Sequence, residues 1–354
     1  MTDIHATNRF QILALDGGGL KGLFAAAVLA ALEKDLGHPL SDHFDLIAGT
    51  STGGIIALGL GAGLTPREIV EFYIDKGPVI FPDALHRLRS VRHLARSKYG
   101  SGDLRAAVQE IFGDALLGDS TKRLVVPAYN LDADEVYIFK TAHHEKLRRD
   151  YRVPLWEVAM ATSAAPTYLP AFSLLEGRVR LVDGGVWANN PVVVAIAEAV
   201  SMLGVPLERI RVLSIGTSSE TVQRKLWLNN GGLIQWARGN TVVDVLLRGQ
   251  SVGANGLAQH LVGRGSVVRI DPTVPPKALR LDSVDADQMV SMAASHSRNG
   301  SPQFFESFTE HTAPVFKPFY QVGSAPFATT PLPVQGGPVG VESHMDRPPT
   351  REAT

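Results

Sequence analysis

The sequence predicts an α/β layered fold on a mostly parallel sheet. Two observations carry this. Short apolar runs alternate with longer stretches of helical pattern from about residue 10 to residue 218. Glycine-rich turns stand where the first strands give way to helices, and no internal repeat interrupts the alternation.

Residues 10–16 (FQILALD) read as a buried strand, followed by a glycine cluster and a helix over 23–36 that Gly37 and Pro39 stop. Residues 44–48 form a second short strand. A helix is expected from Ile55, and Thr65-Pro66-Arg67-Glu68 has the form of a capping box opening another over 66–76. Residues 77–102 read as irregular and basic, and 105–112 as helix. Residues 123–129 and 136–141 read as strands joined by the turn 132–135. A helix over 155–163 ends before Pro166, and a strand over 179–182 enters Asp183-Gly184-Gly185. A helix over 191–203 and a strand over 210–215 complete the alternation. Beyond about residue 220 the chain reads as more helical. From 324 to 354 it is rich in Pro, Gly, Thr and Ser and is expected to be disordered.

Composition narrows the chemistry. There is no cysteine, which excludes a disulfide scaffold, a thiolate metal site and a cysteine nucleophile. The formal net charge of -1 gives no bulk attraction to a nucleic-acid polymer. The first residues lack the basic-then-apolar pattern of a signal peptide, and no apolar run approaches the ~20 residues of a membrane span, so a cytoplasmic location is expected. His86, Arg87, Arg89, Arg92, His93, Arg96 and Lys98 concentrate positive charge between residues 86 and 98. That stretch suits either contact with anionic head groups or a solvated or oligomer-contacting helix face.

Asp16-Gly17-Gly18-Gly19-Leu20-Lys21-Gly22 lies between a strand and a helix and contains G-x-G-x-x-G. A dinucleotide-binding fold would need an acidic residue at the end of the second strand, where this chain has Gly-Thr-Ser. The second reading is an oxyanion hole, in which free amides at a helix start stabilise charge developing on a carbonyl oxygen. Alone, the cluster is equally a tight turn. Gly49-Thr50-Ser51-Thr52-Gly53 fits G-x-S-x-G in its strand-to-helix context, the setting of a nucleophile elbow. Ser51 would need a base. His260, His296 and His311 are available but stand in no loop motif. Asp183, at a strand end and flanked by glycines, is the better candidate, although Asp-Gly is more commonly just a turn.

The ordered set G-G-G-x-K-G, G-T-S-T-G and D-G-G, with Ala161-Thr162-Ser163-Ala164-Ala165-Pro166 and Asn189-Asn190-Pro191, resembles the patatin-like phospholipases. The likeness runs from about residue 10 to residue 218. It implies a three-layer α/β/α fold and a metal-independent Ser-Asp dyad, with Ser51 as nucleophile and Asp183 as proton acceptor. Gly17, Gly18 and Gly19 would supply oxyanion amides, with Lys21 at the basic position of that loop. Gly49, Thr50, Thr52 and Gly53 would shape the elbow, and Gly184 and Gly185 the Asp-Gly-Gly motif. The implied division is a catalytic core over 8–218, a more helical and regulatory region over 219–323, and the tail.

A finer resemblance, over 127–131, 140–144, 187–191 and 213–217, is to the bacterial patatins of CBASS anti-phage systems. There a cyclic dinucleotide such as cGAMP activates the lipase against the host membrane. It implies a phospholipid substrate at the inner membrane surface and a cyclic dinucleotide ligand, and it allows a homo-oligomer. Arg224, Lys225, Trp227, Trp236 and Arg238 mix cations and aromatics in a way that suits phosphates and bases, although each taken singly is more simply a solvated charge or a core tryptophan. Two other functions fit the residues: a constitutive soluble acyl hydrolase or thioesterase, and a non-catalytic nucleotide-binding module.

Overall fold

The computed structural model describes residues 9–80, 100–175, 177–220, 232, 241–274 and 286–322. Strand β1 (Phe10–Leu15) leads through the glycine loop into α1 (Gly22–Leu36), which ends at Gly37 in a left-handed conformation with φ 80°. β2 (Leu46–Gly49) runs into α2 (Thr52–Gly61) and then α3 (Pro66–Ile80). The capping box at the start of α3 is made. The Thr65 amide donates to Glu68 Oε2 (2.8 Å), and the Glu68 amide donates to Thr65 Oγ1 (3.2 Å). Next come α4 (Gly102–Phe112), the hairpin β3 (Leu124–Asn130) and β4 (Glu135–Lys140), α5 (Leu155–Thr162), β5 (Phe172–Leu174) and β6 (Val179–Asp183). The short α6 (Gly185–Ala188), α7 (Val192–Ser201) and β7 (Ile210–Ile215) follow. Beyond them lie β8 (Ser219–Glu220), α8 (Thr241–Val262), β9 (Val267–Ile270), β10 (Thr273–Val274) and α9 (Ala286–Phe308).

The main sheet has the order β5-β6-β3-β2-β1-β7-β9, with β4 also paired to β3. β3, β2, β1, β7 and β9 are mutually parallel, whereas β4 and β6 run antiparallel to β3, and β5 antiparallel to β6. Successive side chains of a strand point to opposite faces, and the two cores sort accordingly. Leu13 and Leu15 of β1, with Leu213 and Ile215 of β7, pack under α1, α2 and α9. Ile12 and Ala14, with Ile210 and Val212, pack under α7 and α8. This is the α/β layering read from the sequence, in the three-layer α/β/α form that the family resemblance implies.

Several boundaries differ from those read in the sequence. α2 starts at Thr52 rather than Ile55, because Gly53 and Gly54 enter the helix where it lies against the strands. A Cβ on Gly53 would overlap the carbonyl oxygens of Leu15 and Asp16, so glycine is what lets helix and strand approach. α3 continues through Pro78 to Ile80, beyond the expected end near Lys76. β5, three residues long, is too short to read as a strand from pattern alone, and β9 adds sheet to the region beyond residue 220 that reads as more helical. The basic stretch 86–98, the five cationic and aromatic ligand candidates from Arg224 to Arg238, and the tail 324–354 lie outside the described residues. Among the described residues no helix is long and apolar enough to cross a membrane.

Candidate active site

Ser51 stands between β2 and α2 with φ 55° and ψ −123°, a backbone conformation that disfavours residues bearing a Cβ. Its surroundings hold it there. The Ser51 amide donates to Thr162 Oγ1 (2.9 Å), and that hydroxyl donates to the Pro127 carbonyl (2.6 Å). The Thr50 hydroxyl donates to the Ala188 carbonyl (2.7 Å), tying the elbow to α6, and Thr52 shares a hydrogen bond with Tyr73 of α3. Gly49 is tightly packed as well, because a Cβ there would run into the Gly53 backbone. The buried Ser51 hydroxyl thus sits at the positive end of a ten-residue helix.

Asp183 is the last residue of β6, opposite Ala128 of β3. Its amide donates to the Ala164 carbonyl (3.0 Å), and its Oδ1 accepts the Gly185 amide (2.7 Å). Burial pushes its carboxyl up to about 6, against the opposing pull of hydrogen bonds from Ser51 and Gly185. Gly184 has no room for a side chain, since a Cβ there would meet the Pro127 backbone.

Ser51 and Asp183 border one cavity of about 260 Å³. Its walls are largely apolar and come from α3 (Phe72, Ile80), from Leu169, and from α8 (Val243, Leu246, Leu247). Gly18 and Gly19 line it too. The three glycines first grouped as oxyanion donors divide in the structure. The Gly17 amide already donates to the Asn189 carbonyl (2.9 Å), whereas those of Gly18 and Gly19 make no hydrogen bond among the described residues. Lys21 closes the short turn, its amide donating to the Gly18 carbonyl (3.3 Å), and it is not among the residues that line the cavity.

The three histidines considered as bases lie elsewhere. His311 is buried against Asp45 (2.7 Å), His296 meets the Phe24 ring edge-on, and His260 is exposed on α8. The structure also gives roles to two residues whose part in the site the sequence did not assign, Asn189 of the Asn189-Asn190-Pro191 motif and Arg269, which no local motif marks. Asn189 is a junction: its carbonyl takes the Gly17 amide, its amide donates to Gln250 Oε1 (3.2 Å) and its Nδ2 to Ser251 Oγ (2.9 Å). Arg269 of β9 reaches back to Asp16 at the head of the glycine loop.

Sequence comparison agrees with this architecture. The family model for patatin-like phospholipase matches residues 13–196. A cGAMP-activated phospholipase of Escherichia coli (strain TW11681) is 31% identical over 335 residues, covering 87% of this chain and 94% of the relative. A protein of the same name from Pseudomonas aeruginosa (strain BWHPSA011 / Pa011) is 33% identical over 321 residues, with 87% and 94% covered. Patatin-like protein 1 of Oryza sativa subsp. indica is 30% identical over 335 residues, with 82% and 81% covered. With its layered sheet, its glycine loop and its strained strand-to-helix serine, the chain belongs to the patatin-like phospholipase family.

Proposed function

We propose that this protein hydrolyses acyl esters of membrane phospholipids through Ser51 and Asp183, and that a cyclic dinucleotide activates it. The observation that carries the catalytic part is the strained Ser51 beside a buried carboxylate, both bordering an apolar cavity. Ser51 Oγ attacks the ester carbonyl and its proton passes to Asp183. The Gly18 and Gly19 amides hold the tetrahedral oxyanion. The alcohol leaves with the proton from Asp183, giving acyl-Ser51 and a lysophospholipid. Asp183 then takes a proton from water, whose oxygen attacks the acyl carbon. Ser51 departs with that proton, and a fatty acid is released. No step calls on a metal.

A lipid substrate suits the walls. An acyl chain would lie against Phe72, Leu169 and Leu247. Val186 and Leu246 both border the cavity and face solvent, at 40% and 59% exposure, so the mouth presents aliphatic groups to an approaching membrane. A fluorophosphonate probe tests the nucleophile. Labelling mapped to Ser51 by peptide mass spectrometry is the expected result. An unlabelled chain would favour the nucleotide-binding module instead.

Activation by a cyclic dinucleotide draws its support from the relatives named cGAMP-activated phospholipase, which match this chain over nearly their whole length. A panel of cyclic dinucleotides added to a phospholipid vesicle assay is expected to contain one that raises hydrolysis about 5–150-fold, the range of ordinary coupling energies. Equal rates with and without every member of the panel would leave a constitutive acyl hydrolase.

A further inference from the structure

The glycine loop begins at Asp16, a buried carboxylate one residue before Gly17. Such a charge next to an oxyanion hole opposes the reaction, because it repels the negative oxygen the hole must hold, and low local dielectric strengthens the repulsion. The structure answers it with one cation among the described residues, Arg269, while the Ser251 hydroxyl adds a neutral hydrogen bond. Arg269 Nη1 donates to Asp16 Oδ1 (2.7 Å) and Nη2 to Asp16 Oδ2 (2.6 Å), a two-pronged contact. The same guanidinium reaches Ser214 Oγ on β7 (2.7 Å) and Asp271 Oδ2 (3.0 Å). Burial pulls the guanidinium down, but Asp16 and Asp271 outweigh it and hold Arg269 above its usual value. Burial pushes the Asp16 carboxyl up, and the Arg269 contact and the Ser251 hydroxyl work against that rise.

The backbone is pinned at the same place. The Asp16 amide donates to the Ile215 carbonyl (3.0 Å), and Gly18 packs so closely on Thr217 that a Cβ there would overlap its side chain. Gly17 is held from the other side by Asn189. The loop therefore has a fixed rear and a front, Gly18 and Gly19, whose amides are left for the cavity.

We infer that Arg269 is a positioning residue for ester hydrolysis, clamping Asp16 so that the Gly18 and Gly19 amides face the reacting oxygen and cancelling the Asp16 charge behind them. The inference rests on the proposed role of those amides, and it assigns to a strand beyond residue 220 a part in the chemistry of the first loop.

The test is steady-state hydrolysis of a soluble p-nitrophenyl ester by the full chain carrying Arg269→Gln, Arg269→Lys, or Asp16→Asn with Arg269→Gln. Arg269→Gln is expected to lower kcat about 100-fold, the scale of losing one oxyanion donor, with KM little changed. Arg269→Lys keeps the charge but loses the fork, and should fall between Arg269→Gln and the wild type. The double variant removes the stranded carboxylate as well and should recover part of the loss. A folded Arg269→Gln with wild-type kcat overturns the proposal, as does a double variant no faster than Arg269→Gln. Should Arg269→Gln not fold, Arg269→Lys decides, and an unchanged kcat there overturns the clamp. Failure of the serine reading is separable. Loss in Arg269→Gln together with full activity in Ser51→Ala sinks the nucleophile and leaves the clamp standing. The reverse pattern sinks the clamp alone.

Discussion

Replacing Ser51 with alanine is expected to lower ester hydrolysis on the order of 10⁵–10⁶-fold, the scale seen when a serine hydrolase loses its nucleophile. Fluorophosphonate labelling should disappear with it. The fold should survive, because the Ser51 amide, not its hydroxyl, makes the bond to Thr162. Backbone strain makes a second comparison informative. At φ 55° and ψ −123° any Cβ is disfavoured, so Ser51→Ala keeps the strain and Ser51→Gly relieves it. Ser51→Gly should therefore be as inactive as Ser51→Ala but more stable by about 1–3 kcal/mol, read from denaturant midpoints. Residual hydrolysis near the wild-type rate in both variants would remove Ser51 from the mechanism.

Asp183→Asn is expected to be nearly as damaging, on the order of 10⁴–10⁶-fold in kcat, since the amide cannot accept the serine proton. The wild-type pH profile should carry the same information. A base must be ionised, and burial pushes this one up to about 6, so kcat/KM should rise with pH and level off above that value. The stability consequence has the opposite sign. An acid whose pKa is higher in the folded state than in the unfolded chain binds more protons when folded between about pH 4 and 6. Folding stability therefore falls as pH rises through that window. From 3.8 to about 6 the cost at neutral pH is on the order of 3 kcal/mol. Asp183→Asn should thus be more stable than the wild type at pH 7 and lose that advantage below about pH 4. An acidic limb far from pH 6 that the variant leaves in place would assign the titration to another group. A variant less stable at neutral pH would contradict the buried-charge account.

The loop, the elbow and the Asp-Gly-Gly turn were legible because each is a local solution to a local problem. A strand must stop, a helix must start, and a backbone must come close to something, so glycine marks the spot. The alternating apolar runs disclosed the layers for the same reason. What stayed hidden depends on residues brought together from afar. That the Gly17 amide is already occupied follows from Asn189, which was visible only as part of a shared motif. Arg269 is a single arginine in Val-Val-Arg-Ile, 253 residues from its partner Asp16, and nothing near it in sequence distinguishes it from an exposed strand residue. The cavity wall built by Val243, Leu246 and Leu247 is likewise tertiary, because an apolar stretch on a helix does not say which space it faces.

β9 has a further consequence for how the chain behaves when cut. The family match ends at residue 196, and a fragment stopping just after β7 would keep both Ser51 and Asp183. It would lose the four residues that pair with β7 from Val212 to Ile215. β7 is almost wholly buried in the intact chain, so its free side would offer apolar residues and unpaired amides to any similar strand. Such a fragment is a template for aggregation. The fragment would lose α8 and α9 as well, which cover the two faces of the sheet, so expression of the minimal motif-bearing segment should yield insoluble protein where the longer chain does not.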